Sequence, residues 1–209
     1  GRPECAQASL PPVRHPTRAR VIYYGHVLHF SRLGRSAGTM EARERAIWRS
    51  VDVSLYPSEE EARIASVLEA SADIRAVLPY AFARFGLPRR APKQRDIVFV
   101  AGFGHPPNVD AACWFAQEVL PSIAVRVPNV RLILVGSHPN ATVRGLAGPS
   151  VVVTGAVTDA ALARHYADAR VAVVPLRVGA GVKLKVVEAL SEGLPLVTPT
   201  VGAQGLPGL

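Results

Sequence analysis

Apolar residues along this chain come in short runs rather than in alternation with polar ones. Ile97–Ala101, Arg131–Val135, Val151–Val153, Val171–Val174 and Leu196–Thr198 are such runs. Between them lie segments with helical spacing: Val109–Val127 with Asn108 as cap, a short Thr142–Leu146, Asp159–Ala167, and a segment ending near Glu192, stopped by Gly193 and Pro195. Unbroken apolar runs that alternate with helices predict parallel strands buried on both faces. The expected fold class is therefore α/β, with a five-stranded doubly wound sheet over residues 93–209. Right-handed crossovers bring every strand-to-helix loop to one edge of such a sheet. Gly102–Asn108, Gly136–Asn140, Thr154–Thr158, Arg177–Lys183 and Pro199–Gly205 should share that edge, where open α/β sheets bind ligands.

The first half repeats a shorter version of this rhythm. Arg20–Tyr24 reads as a strand, Gly34–Thr39 as loop, Met40–Ser50 as a helix, and Val51–Tyr56 as a strand. Ser58 with Glu61 three residues on is a capping box, opening a helix to about Ala70. Ile74–Leu78 is a further apolar run, and residues 79–92, with three prolines, read as a linker. Residues 1–19 read as loop. The organisation expected is two Rossmann-like doubly wound parallel-sheet domains, 1–92 and 93–209, with a site in the cleft between them. The chain starts at Gly1, has Met40 as its only methionine, and stops soon after its last strand. A fragment of a longer protein, with both domains truncated, is expected.

Composition narrows the class. Hydrophobic content of 49% and a mean hydropathy of +0.19 suit a globular protein with a sizeable core. No apolar run approaches the roughly 18–20 residues of a membrane span, and there is no signal-peptide pattern. Cys5 and Cys113 are single and far apart, with no metal spacing and no disulfide framework, which suits a reducing compartment and a cytoplasmic setting. The net charge of +8 is scattered rather than blocked. Generic solubility is its first reading, and a nucleotide partner or peripheral contact with an acidic membrane its second. Dispersed basic residues and 6% aromatics give no stacking platform, so nucleic acid is excluded as a partner.

The candidate chemistry centres on residues 175–195. A loop holding Gly179 and Gly181 feeds a helix, and a helix N-terminus offers backbone N–H groups and a favourable dipole to an anion. Lys183 and Lys185 stand in the first turn, where the dipole disfavours them, as at a phosphate or diphosphate site. Leu184 stands where a G-x-G-x-x-G fingerprint needs its third glycine, and no G-x-x-x-x-G-K-[ST] phosphate loop is present. Lys185 and Glu188 read either as a solvated helical ion pair or as a lysine for phosphate and a carboxylate for a vicinal diol. Arg177, directly after a strand, can grip phosphate with its fork. His26 and His29 follow the first strand, where an imidazole reads as a surface group or as a donor to a sugar or phosphate oxygen. His105 and His138 sit in edge loops rich in proline, where a turn role is equally open.

The run Arg177-Val-Gly-Ala-Gly-Val-Lys-Leu-Lys-Val-Val-Glu188-Ala-Leu-Ser-Glu-Gly193-Leu-Pro-Leu-Val197, followed by Gly202-Ala-Gln-Gly205, resembles the donor domain of family 4 glycosyltransferases, which have the two-domain GT-B architecture. Phe99-Val-Ala-Gly102-Phe with Asn108, Leu132–Gly136 and Val153-Thr-Gly155-Ala-Val157-Thr-Asp159 follow in the family's order, and Trp48–Val53 with Pro57–Glu61 resembles the end of its acceptor-side domain. The resemblance covers about four-fifths of the chain. It implies a retaining transfer of a sugar from a nucleotide-diphosphate-sugar to a glycan, lipid-linked or other hydroxyl acceptor, with no cofactor and no metal. It further implies that Glu188 binds the donor ribose, that Gly179, Gly181 and Lys183 face the diphosphate and sugar, that the Thr154–Val157 loop (Gly155, Val157) passes the base, that Gly102 belongs to the donor site, and that His26 lies near the transferred sugar. Two positions depart from the common pattern. Ala180 stands where an earlier glutamate is usual, and Phe103 with Pro106–Pro107 where many members carry an Arg and Lys clamp. Arg177, Lys183 and Lys185 are the candidate replacements for that charge. A nucleotide-sugar epimerase of the same architecture and a non-catalytic nucleotide- or sugar-binding subunit are the alternatives, and the fragment by itself is expected to be inactive.

Overall fold

A computed structural model describes residues 19–30, 37–78, 92 and 94–206. The N-terminal stretch and nearly all of the expected linker lie outside the described residues. The chain divides into two compact units. The first comprises Gly1–Ala81 with Ala180–Val182 and Gln204–Leu209, and the second Phe82–Gly179 with Lys183–Ala203.

In the first unit, strands β1 (Ile22–Tyr24), β2 (Val53–Tyr56) and β3 (Ile74–Ala76) pair in parallel in that order. Helices α1 (Ala37–Ser50) and α2 (Glu59–Leu68) are the crossovers. The α2 start is the one its sequence announces: Ser58 caps it by accepting from Glu61 N, and three glutamates occupy the first turn, where the dipole favours them. Tyr23, Leu28, Ile47, Trp48, Tyr56, Ala62 and Ala65 form the core. Trp48 Nε1 donates to Tyr56 Oη at 2.9 Å, which satisfies both polar atoms of this aromatic pair. A Cβ on Gly25 would stand 2.6 Å from Cε1 of the fully buried Tyr56 ring, so only glycine lets the chain leave β1 along this path.

The second unit holds β4 (Asp96–Val100), β5 (Arg131–Val135), β6 (Val151–Gly155), β7 (Val171–Val173) and β8 (Leu196–Val197), all parallel, in the order β6-β5-β4-β7-β8. This is the doubly wound sheet the apolar runs predict. Its central strands are buried on both faces: Ile97, Val98 and Phe99 on β4, and Leu132 to Val135 on β5. Helices α3 (Pro106–Trp114) and α4 (Leu120–Ala124) flank a π-helical turn over Phe115–Val119. Leu120 N reaches back to Phe115 O within this turn. Pro121 has no N–H to give Gln117, and its ring would crowd that carbonyl in a regular helix; the wider turn just before it relieves both. Helices α5 (Ala141–Arg144) and α6 (Asp159–Asp168) carry side-chain caps from Asn140 and Thr158. Helix α7 (Leu184–Ser191) buries Val186, Val187, Ala189 and Ser191. It ends on Gly193 at φ 70°, with Leu194 N bonded to Ala189 O, the glycine-dependent closure that the Gly193–Pro195 signal predicts. A short helix α8 (Thr200–Ala203) occupies part of the expected 199–205 loop.

Candidate functional site

The strand order reverses between β4 and β7, since β4 is followed by β5 on one side and lies beside β7 on the other. A doubly wound sheet opens a crevice at the carboxyl ends of such a pair. The elements leaving those two ends are the loop into α3 and the loop into α7, and their side chains meet there.

Glycines let the backbones of the β4 and β5 loops close on each other. Gly136 has φ 149°, and a Cβ on it would stand 1.8 Å from Ala101 O. Beyond it, Phe103 N donates to Ser137 O at 2.8 Å, and His138 takes a left-handed φ of 54°. The turn delivers Gly102 to the edge with its carbonyl accepting from Asn108 Nδ2 at 2.8 Å. Asn108 is thus not the cap that the sequence suggests. The helix begins two residues earlier, at Pro106, because prolines fit a first turn whose N–H groups have no intrahelical acceptor. Asn108 is buried instead, and its side-chain oxygen accepts from Lys185 Nζ at 2.7 Å. The ammonium also lies 5.9 Å from the centre of the Phe99 ring.

Lys185 is therefore a cation held by an amide and an aromatic face rather than by a carboxylate. Burial draws its pKa down to about 8, partly opposed by the charge of Glu188. Burial likewise raises the Glu188 carboxyl, with Lys185 pulling the other way. The solvated ion pair is not what these two residues form: both are half-buried on α7, and each tunes the other. Lys183 is the N-cap of the same helix, with 9% of its surface exposed, and its aliphatic end lies beside Gly179, whose φ is 144°. Its side chain does not cap the helix, so the cap position is left to the backbone.

Other residues of interest fall elsewhere. Arg177 is gripped by Asp110 through one guanidinium edge, Nε donating at 3.0 Å and the adjacent Nη to the other carboxylate oxygen, and it lies 5.6 Å over the Trp114 ring. The carboxylate holds the fork that a phosphate would need. An open depression of about 530 Å³ lies there, lined by Pro106, Pro107, Asp110, Arg177 and Val178. Phe103 is fully buried, edge-on to Phe99, and so belongs to the core. Gly155, at φ 74°, closes β6 with its carbonyl accepting from Gly136 N, while Val157 packs its side chain on the sheet core. Gly181, at φ 74°, groups with the first unit. So does His26, exposed on the turn after β1 and edge-on to Tyr24. Asn108 is the site residue that sequence reasoning misassigns. Its partner lies 77 positions away, and nothing local marks it.

Among the described residues, no group of three or more His, Cys, Asp or Glu is arranged to hold a metal ion, and no helix is long and apolar enough to cross a membrane.

An uncharacterized 44.6 kDa protein in the cps region of Klebsiella pneumoniae is 23% identical over 164 residues, covering 75% of this chain and 41% of that protein. The S. aureus TarM mutant solved in complex with fondaparinux, alpha-GlcNAc-glycerol and UDP superposes with a TM-score of 0.74 at 12% identity, over 94% of this chain and 40% of that one. Anabaena Alr3699/HepE, solved with UDP and glucose, gives a TM-score of 0.61 at 16% identity, over 95% of this chain and 56% of its own. This chain thus spans between two- and three-fifths of the length of these relatives. The shared fold is the GT-B glycosyltransferase fold, of parallel α/β units. The family model described as glycosyl transferases group 1 matches residues 94–208, more than half of the chain and all five strands of the second sheet. The chain belongs to the glycosyl transferases group 1 family.

Proposed function

We propose that the protein containing this chain transfers a sugar, with retention of anomeric configuration, from a nucleotide-diphosphate-sugar to a hydroxyl acceptor. The observation that carries the reading is the group Asn108–Lys185–Glu188 at the strand-order reversal of the second unit. A lysine with no carboxylate hydrogen-bond partner of its own there suits a diphosphate, and a half-buried glutamate one helical turn away suits a ribose diol. The start of α7 supports the same assignment, since its dipole and Lys183 favour an anion. Gly155 and the backbone of Val157 are the base contacts in this reading, Gly102 and Gly179 let the donor approach the main chain, and Gly181 shapes the same loop. Arg177 is not needed, because Asp110 already engages it.

Cleavage of the glycosidic bond leaves negative charge on the departing diphosphate. Lys183, Lys185 and the α7 dipole stabilise that charge where it develops, which is the main catalytic effect these residues supply. His26 serves the transferred sugar from the first unit by donating to one of its oxygens. The acceptor is a glycan or glycoconjugate, supported by the cps-region location of the Klebsiella relative. The setting proposed is cytoplasmic, with peripheral contact at the inner face of an acidic membrane in keeping with the net charge of +8.

The ribose assignment is tested by calorimetry on the full-length protein. Glu188→Ala should weaken binding of the cognate nucleoside diphosphate at least about tenfold, the loss of one charge-assisted hydrogen-bond pair. Unchanged affinity for every common nucleoside diphosphate would show that Glu188 does not hold the ribose.

A further inference from the structure

The turn that carries His26 is held by two buried carboxylates from separate helices. Leu28 N donates to Glu61 Oε1 at 3.1 Å. His29 N and Phe30 N donate to the two oxygens of Glu44 at 3.1 and 3.2 Å. Three successive main-chain amides thus point at two side chains, one from α1 and one from α2. Glu44 is 0% exposed and Glu61 8%. Leu28 is buried in the hydrophobic core, and Phe30 packs against it. At its other end the turn is fixed by Gly25, whose N–H donates to Leu55 O at 2.9 Å beneath the Tyr56 ring.

Carboxylates are a costly choice for this task. A buried charge is unfavourable unless it is well hydrogen-bonded. Burial pushes the Glu44 carboxyl up, its two backbone bonds pull it down, and the neighbouring Glu61 raises it again. A main chain that only needed to stay put could be held by neutral groups. Two charged acceptors on three consecutive amides hold a turn far more rigidly than its own short-range bonds. His26 lies two positions before the first of those amides, across the buried Val27, and is itself exposed.

We propose that Glu44 and Glu61 are positioning residues, which grip the backbone of Leu28, His29 and Phe30 and thereby fix the placement of the His26 imidazole for sugar transfer. The proposal rests on the assignment of His26 made above. The two carboxylates touch neither donor nor acceptor. They act by restricting a turn, and a misplacement of about 1 Å can cost on the order of a hundredfold in rate.

The test uses the full-length protein and four variants: Glu44→Gln, Glu44→Asp, His26→Ala, and His26→Ala with Glu44→Gln. Amide hydrogen exchange at His29 and Phe30 reports the grip without reference to activity. Glu44→Gln keeps the shape but supplies one acceptor oxygen in place of two. It should speed exchange at these amides at least about tenfold, while the β1 amides keep their protection. In the same variant kcat should fall on the order of ten- to a hundredfold, with affinity for the nucleoside diphosphate unchanged. Glu44→Asp, which keeps both oxygens, should recover part of the rate. In the His26→Ala background, Glu44→Gln should cost no further rate.

An equal cost in both backgrounds would overturn the proposal, because Glu44 would then act on something other than His26. Unchanged exchange at His29 and Phe30 would also overturn it. Full turnover by His26→Ala is a different result: it removes the catalytic assignment of His26, whatever the exchange data show. Should Glu44→Gln fail to fold, Glu61→Gln takes its place, with exchange at the Leu28 amide as the readout and the same comparison in the His26→Ala background.

Discussion

Lys185 departs well from the ordinary behaviour of a lysine, and this gives a directional test. Its folded-state pKa is drawn down to about 8, whereas an unfolded lysine titrates near 10.4. Between those values the unfolded chain binds more protons than the native one. Stability against unfolding therefore rises with pH from about 8 to about 10.4, as the cost of a buried ammonium is relieved. Ligand binding should run in the opposite sense. If Lys185 meets the diphosphate, binding raises its pKa, so affinity for a nucleoside diphosphate should be level below pH 8. Above it, affinity should fall by up to about tenfold per pH unit. Lys185→Met should abolish that slope as well as lower the affinity. Titration calorimetry between pH 7 and 10 decides the matter; a slope that survives in Lys185→Met would assign the titration to another group. Such a group was only half legible in advance. The first-turn position of Lys185 against the helix dipole marks it as unusual, but its hydrogen-bond partner Asn108 is invisible to local pattern. The same holds for Glu61. Its capping-box spacing is real, since its N–H does donate to Ser58 Oγ, yet its carboxylate is used by Leu28, 33 residues away.

Secondary-structure elements were more legible than their meeting points. The five apolar runs of the second unit are its five strands, within a residue or two at each end. This follows because a strand buried on both faces has no polar face to blur it. Helix starts set by capping chemistry, at Ser58, Asn140 and Thr158, also agree with local signals. The start of α3 does not, because the apolar periodicity begins at Val109 while the prolines at 106 and 107 already form the first turn. The close approach of the β4 and β5 loops is a further property no run of residues displays, and it depends on Gly136. Gly136→Ala would place a methyl group 1.8 Å from Ala101 O at a φ that L-residues rarely adopt. It should destabilise the second unit by roughly 2 kcal/mol or more, the cost of a disallowed conformation with a backbone clash. Gly102→Ala is the control. The nearest atom to its added Cβ is Ser137 Oγ at 3.7 Å, an ordinary contact, so stability should change little. Urea denaturation of both variants separates the two, and equal midpoints would show that the Gly136 turn relaxes without penalty.

At the scale of the whole molecule, the two units have separate hydrophobic cores, one under Trp48 and Tyr56 and the other around Val98, Ile133 and Val135. The residues proposed for the donor nucleotide, Asn108, Lys185 and Glu188, belong to the second unit alone. A ligand that binds only the native state stabilises whatever must unfold to release it, by about 2.7 kcal/mol at a hundred times its dissociation constant. Bound nucleoside diphosphate should therefore slow the slowest-exchanging amides of β4 and β5, such as Phe99, Leu132 and Leu134, by about a hundredfold at that saturation. The amides of Tyr23, Ser54 and Tyr56 in the first sheet should keep their rates, because Asn108, Lys185 and Glu188 are no part of that core. Hydrogen exchange with and without nucleotide reads both cores in one experiment. Equal slowing in the two would mean that the nucleotide draws on residues of the first unit as well, and the donor assignment would then have to extend beyond the edge of the second sheet. Slowing confined to the first unit would place the nucleotide where Asn108, Lys185 and Glu188 are not, and would overturn that assignment outright.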